Sequence, residues 1–294
     1  MLTQEQIDQF HHDGFLNGGR IFADDEVAEL SEDLERIMDI GPNGFDEDAP
    51  KPVLFRDLAA GGYETDDRGE GPTPVWQIVN IWEASKAFEK LIYHPAVVGA
   101  ISQLTGFADL QVWHDQIQYK PDGNGGPTGW HQDAPLWPSI EPMTPVSAWI
   151  PFDDAEVENG CMWMVPGSHQ WGNQMEYLRG FGNLKRIEEF GNIGEDFEAP
   201  EGTEVSEAKA VPRPVMQGEV HFHHSLTWHG SPMNPSPRTR RAIAIHYMTG
   251  EARYTGRAHA MSQFIEIEVG APMLNAGPHF PSVCKAGEPV SFAS

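Results

Sequence analysis

Near residue 107 the texture of the chain changes, and that change limits the fold more than any other feature. Beyond it, short β-forming runs alternate with Gly/Pro punctuation: Leu110–Tyr119, Ser147–Phe152, Cys161–Val165, Glu219–His224 and Ala242–Met248. Many short strands separated by turn residues predict a mainly β sandwich or barrel. Before residue 107 the pattern is helical. Thr3 and Gln6 form a capping box, Leu2 and Ile7 can staple it, and Gly14 ends the helix. Asp24 is read as the cap of a second helix, with Val27, Leu30, Leu34, Ile37 and Met38 on one stripe. Pro95 opens another, with Val98, Ile101 and Leu104 on one face and Gly106 after it. Segment 40–75 reads as a long loop or flap, and 170–215 as an insertion or lid. No repeat or linker divides the 294 residues. One domain is expected: a mainly helical part over 1–106, a β core over 107–250 and a C-terminal extension over 251–294.

Composition removes several classes of function. Acidic residues outnumber basic ones 44 to 19, for a net charge of −25. Such a field repels phosphate backbones and anionic lipids, so neither nucleic acid nor a membrane surface is an expected partner. No run of 18 apolar residues exists, and the polar N-terminus lacks a basic and then apolar leader. Two cysteines, Cys161 and Cys284, cannot build a disulfide framework, and a cytoplasmic protein is expected. Oligomeric state is not legible in these patterns.

The sharpest local feature is Trp130-His131-Gln132-Asp133. On an extended strand, residues i and i+2 share a face, so His131 and Asp133 can bind one metal from one side. A second histidine, His229, stands in Thr227-Trp228-His229-Gly230-Ser231. Two histidines and one carboxylate make the facial triad of non-haem Fe(II) oxygenases, leaving three positions open for a chelating 2-oxo acid and O2. His221, His223 and His224 rival His229, and alternation puts His221, His223 and His229 on one face, so spacing does not choose among them. Arg238, Arg240 and Arg241 precede an apolar run read as a strand. A strand-borne arginine beside such a site could pair with a cosubstrate carboxylate; in an acidic protein it could equally solvate a strand end.

In combination these blocks resemble the phytanoyl-CoA dioxygenase family of Fe(II)/2-oxoglutarate oxygenases. The resemblance rests on His131-Gln132-Asp133, on Glu158-Asn-Gly-Cys-Met-Trp-Met-Val-Pro-Gly-Ser-His169, on Gly218-Glu219 followed by Trp228-His-Gly-Ser-Pro-Met-Asn234, and on Arg240-Arg-Ala-Ile243. The opening Thr3–Phe15, ending Asp-Gly-Phe, is similar as well, so the likeness runs over roughly residues 3–250. It implies a double-stranded β-helix, or cupin-like jelly roll, with flanking helices. It implies Fe(II), 2-oxoglutarate and O2 as cofactor and cosubstrates, and a small-molecule substrate hydroxylated with release of succinate and CO2.

The resemblance also assigns residues. The histidine directly before Gly-Ser is His229, and the 2-oxoglutarate arginine, eleven residues on, is Arg240. Ser231 helps hold the same distal carboxylate. Gln132 and Trp149 fall at pocket positions, with Gln116 and Asn80 transferred across a looser alignment. Halogenating relatives replace the metal carboxylate, and Asp133 fills that place here. Trp130, Trp137 and Trp82 could line a substrate pocket or pack in the core. The Glu158–His169 block reads as a structural hairpin. Desaturation, epoxidation and ring formation by the same iron chemistry remain open, as does a non-catalytic metal-binding jelly roll. The net charge favours a neutral, cationic or zwitterionic substrate, although Lys185-Arg186 could form a local basic patch.

Overall fold

The computed structural model describes residues 1–58, 74–142, 146–181, 184 and 186–292. The N-terminal part begins with α1 (Gln4–Asp13), β1 (Phe15–Arg20) and α2 (Asp24–Ile40). Thr3 and Gln6 make both halves of the capping box, and Gly14 takes the left-handed conformation that ends α1. The cap of α2 lies one residue earlier than the sequence reading put it. Asp24 is already helical, and Ala23 stands at the N-cap, its N–H donated to Glu26 at 3.0 Å. The reading of 40–75 as unbroken loop also gives way. It contains β2 (Leu54–Asp57), which pairs with β3 (Trp76–Val79), and residues 59–73 lie outside the described residues. Helices α3 (Lys86–Ile92) and α4 (Pro95–Thr105) follow.

The β core then runs through β4 (Leu110–Lys120), β5 (Thr128–His131), β6 (Ile140–Glu141), β7 (Val146–Pro151) and β8 (Met162–Met164). Two short helices, α5 (Met175–Arg179) and α6 (Ile187–Phe190), occupy the 170–215 segment, which ends in β9 (Val211–Arg213). After these come β10 (Glu219–His224), β11 (His229–Ser231), β12 (Arg240–Thr249), β13 (Arg253–Tyr254), β14 (Ser282–Lys285) and β15 (Glu288–Pro289). Every pairing is antiparallel. The large sheet has the order β1-β10-β7-β12-β4-β14-β15, with β3 also on β4 and β2 on β3. The small sheet is β5-β11-β8-β9, and β13 pairs with β6. This is the mainly β jelly roll with flanking helices.

Strand periodicity explains how the large sheet serves two compartments. Along β12, Ile243, Ile245 and Tyr247 point outward and join the stripe of α2 (Val27, Leu30, Leu34, Ile37) and the apolar face of α4 in one core. Each such fully buried side chain contributes about 1.5–3 kcal/mol. The alternate residues Ala242 and Ala244 point inward and pack with Trp149, Met162 and Met164. Both faces are therefore covered, which is why β12 reads as a nearly continuous apolar run. The 170–215 segment is packed against the barrel: Met175, Leu178, Phe190 and Ile193 are buried with Trp130 and Trp228. In the C-terminal stretch, β14 extends the sheet along β4.

Candidate metal centre

Strands β5 and β11 lie side by side in the small sheet and put His131 directly opposite His229, their ring centroids 4.1 Å apart. The close pairing needs Gly230: a Cβ there would fall 3.0 Å from the Thr128 carbonyl oxygen and from the Phe190 ring. On its other side β11 pairs with β8, and Trp228 donates its N–H to Ser168 Oγ at 2.8 Å. The Glu158–His169 block thus braces the strand that carries His229. His169 itself faces the carbonyl of His11 and is no part of the centre.

The expected strand geometry fails for Asp133. Strand β5 stops at His131, and Asp133 is helical (φ −72°, ψ −54°) at the start of a tight turn containing Pro135. The N–H groups of Asp133 and Ala134 both bond to the Ser225 carbonyl, at 2.9 and 3.0 Å. This long-range tether, not strand alternation, returns the carboxylate to the histidines. Asp133 Oδ1 lies 3.5 Å from His131 Nε2 and 3.6 Å from His229 Nε2. The ligand atoms of His131, Asp133 and His229 all lie within 4.8 Å of one another, the only such group found among the described residues. Donor atoms about 3 Å apart suit metal bonds of about 2.0–2.2 Å, so a small closing movement would suffice.

The rings are oriented for metal. His131 Nδ1 faces the Gly129 carbonyl at 2.8 Å, and His229 Nδ1 faces the Thr227 carbonyl at 2.9 Å. A proton on each Nδ1 leaves each Nε2 lone pair for a cation. Electrostatics agree. Burial alone would raise the Asp133 carboxyl, but His229, His131 and His223 hold it well below its usual value. Burial, with His131 close by, pushes His229 down to about 3. Burial opposes a proton on His131, yet Asp133 raises it above the ordinary value.

Beside this cluster stands Arg240, fully buried at the start of β12. Its Nη2 donates to Ser231 Oγ at 3.4 Å, and its guanidinium lies 5.6 Å from the Trp149 ring. Nε and Nη1 have no partner. Burial pushes the guanidinium down to about 10. Lys120, opposite Arg240 on β4, is also buried, and its Nζ donates to the carbonyls of Ser231 and Pro232 at 3.2 and 2.6 Å. Lys120 is thereby satisfied by carbonyls, whereas Arg240 keeps two bare nitrogens and no carboxylate partner among the described residues, a costly arrangement unless a carboxylate joins it. The donor set fits a two-histidine, one-carboxylate iron site with an anionic chelator alongside.

A cavity of about 530 Å³ opens over the cluster. His131, Asp133, His229, Ser231, Trp149 and Gln116 line it, with Arg240 just behind Ser231 and Trp149. Trp130 and Trp137 also line it, whereas Trp82 packs against the helical core. Two residues carried over by resemblance point elsewhere. Gln132 donates to the Gly172 and Leu226 carbonyls and accepts from the Gln174 N–H, bracketing the 170–215 segment to the metal loop. Asn80 lies under β4, its side chain donating to Glu83 at 2.6 Å. The local charge differs from the net charge: among the described residues the lining holds exposed Arg56 and Arg179 and one carboxylate, Asp133. Of the suggested basic patch, Lys185 lies outside the described residues.

A β jelly roll with two histidines and a carboxylate drawn together, next to a buried guanidinium with two bare nitrogens, fits a non-haem iron oxygenase. The chain belongs to the phytanoyl-CoA dioxygenase (PhyH) family, whose model matches residues 10–242, and it is an Fe(II)- and 2-oxoglutarate-dependent oxygenase. It is 28% identical over 190 residues to phytanoyl-CoA dioxygenase domain-containing protein 1 of Danio rerio, covering 63% of this chain and 62% of that one. The match therefore spans less than two thirds of that relative. Peroxisomal phytanoyl-CoA dioxygenase of Rattus norvegicus is 24% identical, with 91% of this chain and 76% of that protein covered. Among solved structures, the non-heme alpha-ketoglutarate-dependent carbocyclase SnoK from nogalamycin biosynthesis shares the fold, with a TM-score of 0.70, 23% identity and 96% of each chain covered. Among the described residues no helix is long and apolar enough to cross a membrane.

Proposed function

We propose that the protein hydroxylates a small molecule, with His131, Asp133 and His229 holding Fe(II) and with Arg240 and Ser231 holding the far carboxylate of 2-oxoglutarate. When bound, the iron and 2-oxoglutarate supply the oxidising chemistry, in which O2 and 2-oxoglutarate yield succinate, CO2 and one oxygen atom for the substrate. The chain's own part is placement. The backbone carbonyls of Gly129 and Thr227 fix the two imidazoles with Nε2 inward, and the Ser225 carbonyl fixes the turn that carries Asp133. Ser231, which lines the cavity, can steer a carboxylate toward the guanidinium behind it. The observation that carries the reading is that guanidinium: buried, with two nitrogens unpartnered, against the wall of the same cavity as the triad.

The substrate's side of the cavity is walled by Trp76, Trp130, Trp137, Leu136, Met175 and Leu178. Such a wall takes a largely apolar body and keeps water from the reacting centre. Arg56 and Arg179 would suit an anionic group on that body, in place of the cationic or neutral substrate that net charge favours. Two free buried thiols, Cys161 and Cys284, suit a cytoplasmic location. Succinate release from 2-oxoglutarate, measured with Fe(II), ascorbate and O2, tests the reaction, and mass gain from labelled O2 in a converted metabolite tests hydroxylation. Succinate formation without oxygen gain would favour desaturation or ring formation instead.

A further inference from the structure

We infer that His223 is a positioning residue for the metal site, holding the second oxygen of Asp133 so that the carboxylate presents only one oxygen to the cation. The inference rests on His131, Asp133 and His229 being the ligands. His223 Nε2 lies 3.2 Å from Asp133 Oδ2, whereas both ligand histidines face Oδ1. Both partners are buried, with side-chain exposures of 2% and 7%. His223 is not in the group of ligand atoms that cluster within 4.8 Å. It serves the oxygen turned away from that group.

Topology makes the contact a fixed one. The ligand histidines ride on the small sheet, while His223 sits within the large sheet on β10, opposite Phe15 of β1 and Ser147 of β7. Its backbone is therefore held from both sides, and its ring bridges the two sheets. Its Nδ1 is buried without a partner. A proton there would be an unsatisfied buried donor, so the proton belongs on Nε2, where it is donated to Asp133. The functional consequence concerns coordination number. A carboxylate gripping metal through both oxygens would occupy a position needed by the cosubstrates. An N–H on Oδ2 opposes that mode and keeps three adjacent positions open.

Anaerobic titration of the metal-free protein with Mn(II) and Co(II) tests this, reading the dissociation constant and the visible Co(II) spectrum. Wild type, Asp133→Ala, His223→Phe and His223→Gln are compared, with metal-free melting curves as the fold control. His223→Phe should weaken metal binding by about 10- to 100-fold and alter the Co(II) spectrum, while His223→Gln, which keeps an N–H, should stay within about threefold of wild type. If the phenylalanine variant does not fold, His223→Asn, one methylene too short to reach, takes its place with the same expected loss. Wild-type affinity in the variants without a reaching donor, or equal losses with and without it, would overturn the role of His223. Equal binding by wild type and Asp133→Ala would instead overturn the ligand set, and this inference with it.

Discussion

Replacing Arg240 with methionine should have two effects of opposite sign. Arg240 is fully buried, makes one long hydrogen bond to Ser231, and leaves Nε and Nη1 bare. Burial pushes its guanidinium down to about 10, a desolvation cost on the order of 3 kcal/mol. An apolar side chain of similar length removes that cost, and replacing buried charge by packed apolar groups gains about 1–4 kcal/mol in favourable cases. The cosubstrate-free variant should therefore melt higher than wild type. Binding of 2-oxoglutarate should suffer the reverse. Truncating one partner of a buried charge pair costs about 2–5 kcal/mol, or roughly 30- to 4,000-fold in affinity at about 1.4 kcal/mol per decade. The assay is thermal melting of the Mn(II)-loaded protein with and without 2-oxoglutarate under argon. At one hundred times its dissociation constant a ligand adds about 2.7 kcal/mol, which for this length is a rise of about 5 °C. Wild type should show that rise, and Arg240→Met should not. A variant that melts lower than wild type without 2-oxoglutarate, yet keeps the full rise with it, would rule out Arg240 as the cosubstrate's buried cation.

Three further outcomes are expected. Asp133→Ala should abolish succinate release and lower metal affinity while leaving the fold intact; retained turnover would show that another carboxylate serves. Stability should fall as pH drops from about 6.5 toward 4, because burial holds His114, His221, His224 and His246 neutral in the fold, the last two down to about 3 and about 4. In that window the unfolded chain binds protons that the folded one refuses, so each histidine withdraws about 1.4 kcal/mol per pH unit; urea unfolding across pH 4–8 measures the slope, and a flat profile would contradict it. Gly14→Ala should cost about 2–5 kcal/mol, since φ is +81° and a Cβ would lie 2.5 Å from His169 Nδ1, adding left-handed strain to overpacking; denaturant melts would show it, and a loss below about 1 kcal/mol would refute it.

What could be read from the sequence was what depends on local periodicity and on order along the chain. The stripe of α2 and the glycine stops after Asp13 and Thr105 follow from spacing and backbone freedom. The core strands β4, β7, β10 and β12 were visible because their inner and outer faces are both buried. What could not be read depends on contacts between distant segments. Asp133 leaves the strand because of the Ser225 carbonyl, 92 positions on, which no i, i+2 rule contains. Strand β2 hides in a turn-rich stretch because its pairing with β3, itself held on β4, makes it a strand. Gln132 stands in the right part of the chain, but its side chain answers to carbonyls that only the fold brings near, while Asn80 turns to the local carboxylate of Glu83. Alternation puts His223 on one face with His221 and His229 and so makes it a rival ligand; the geometry puts it on the other oxygen of the same carboxylate.

On the proposed function, one ferrous ion and one 2-oxoglutarate meet between His131, Asp133, His229 and Arg240. Anaerobic addition of 2-oxoglutarate to the Fe(II)-loaded protein, followed by visible absorption, probes that meeting directly. A metal-to-ligand charge-transfer band should grow to saturation at one equivalent, and should be missing in Asp133→Ala and in the protein without iron. A protein that binds iron and 2-oxoglutarate with no such band, or whose band survives Asp133→Ala unchanged, would contradict the account.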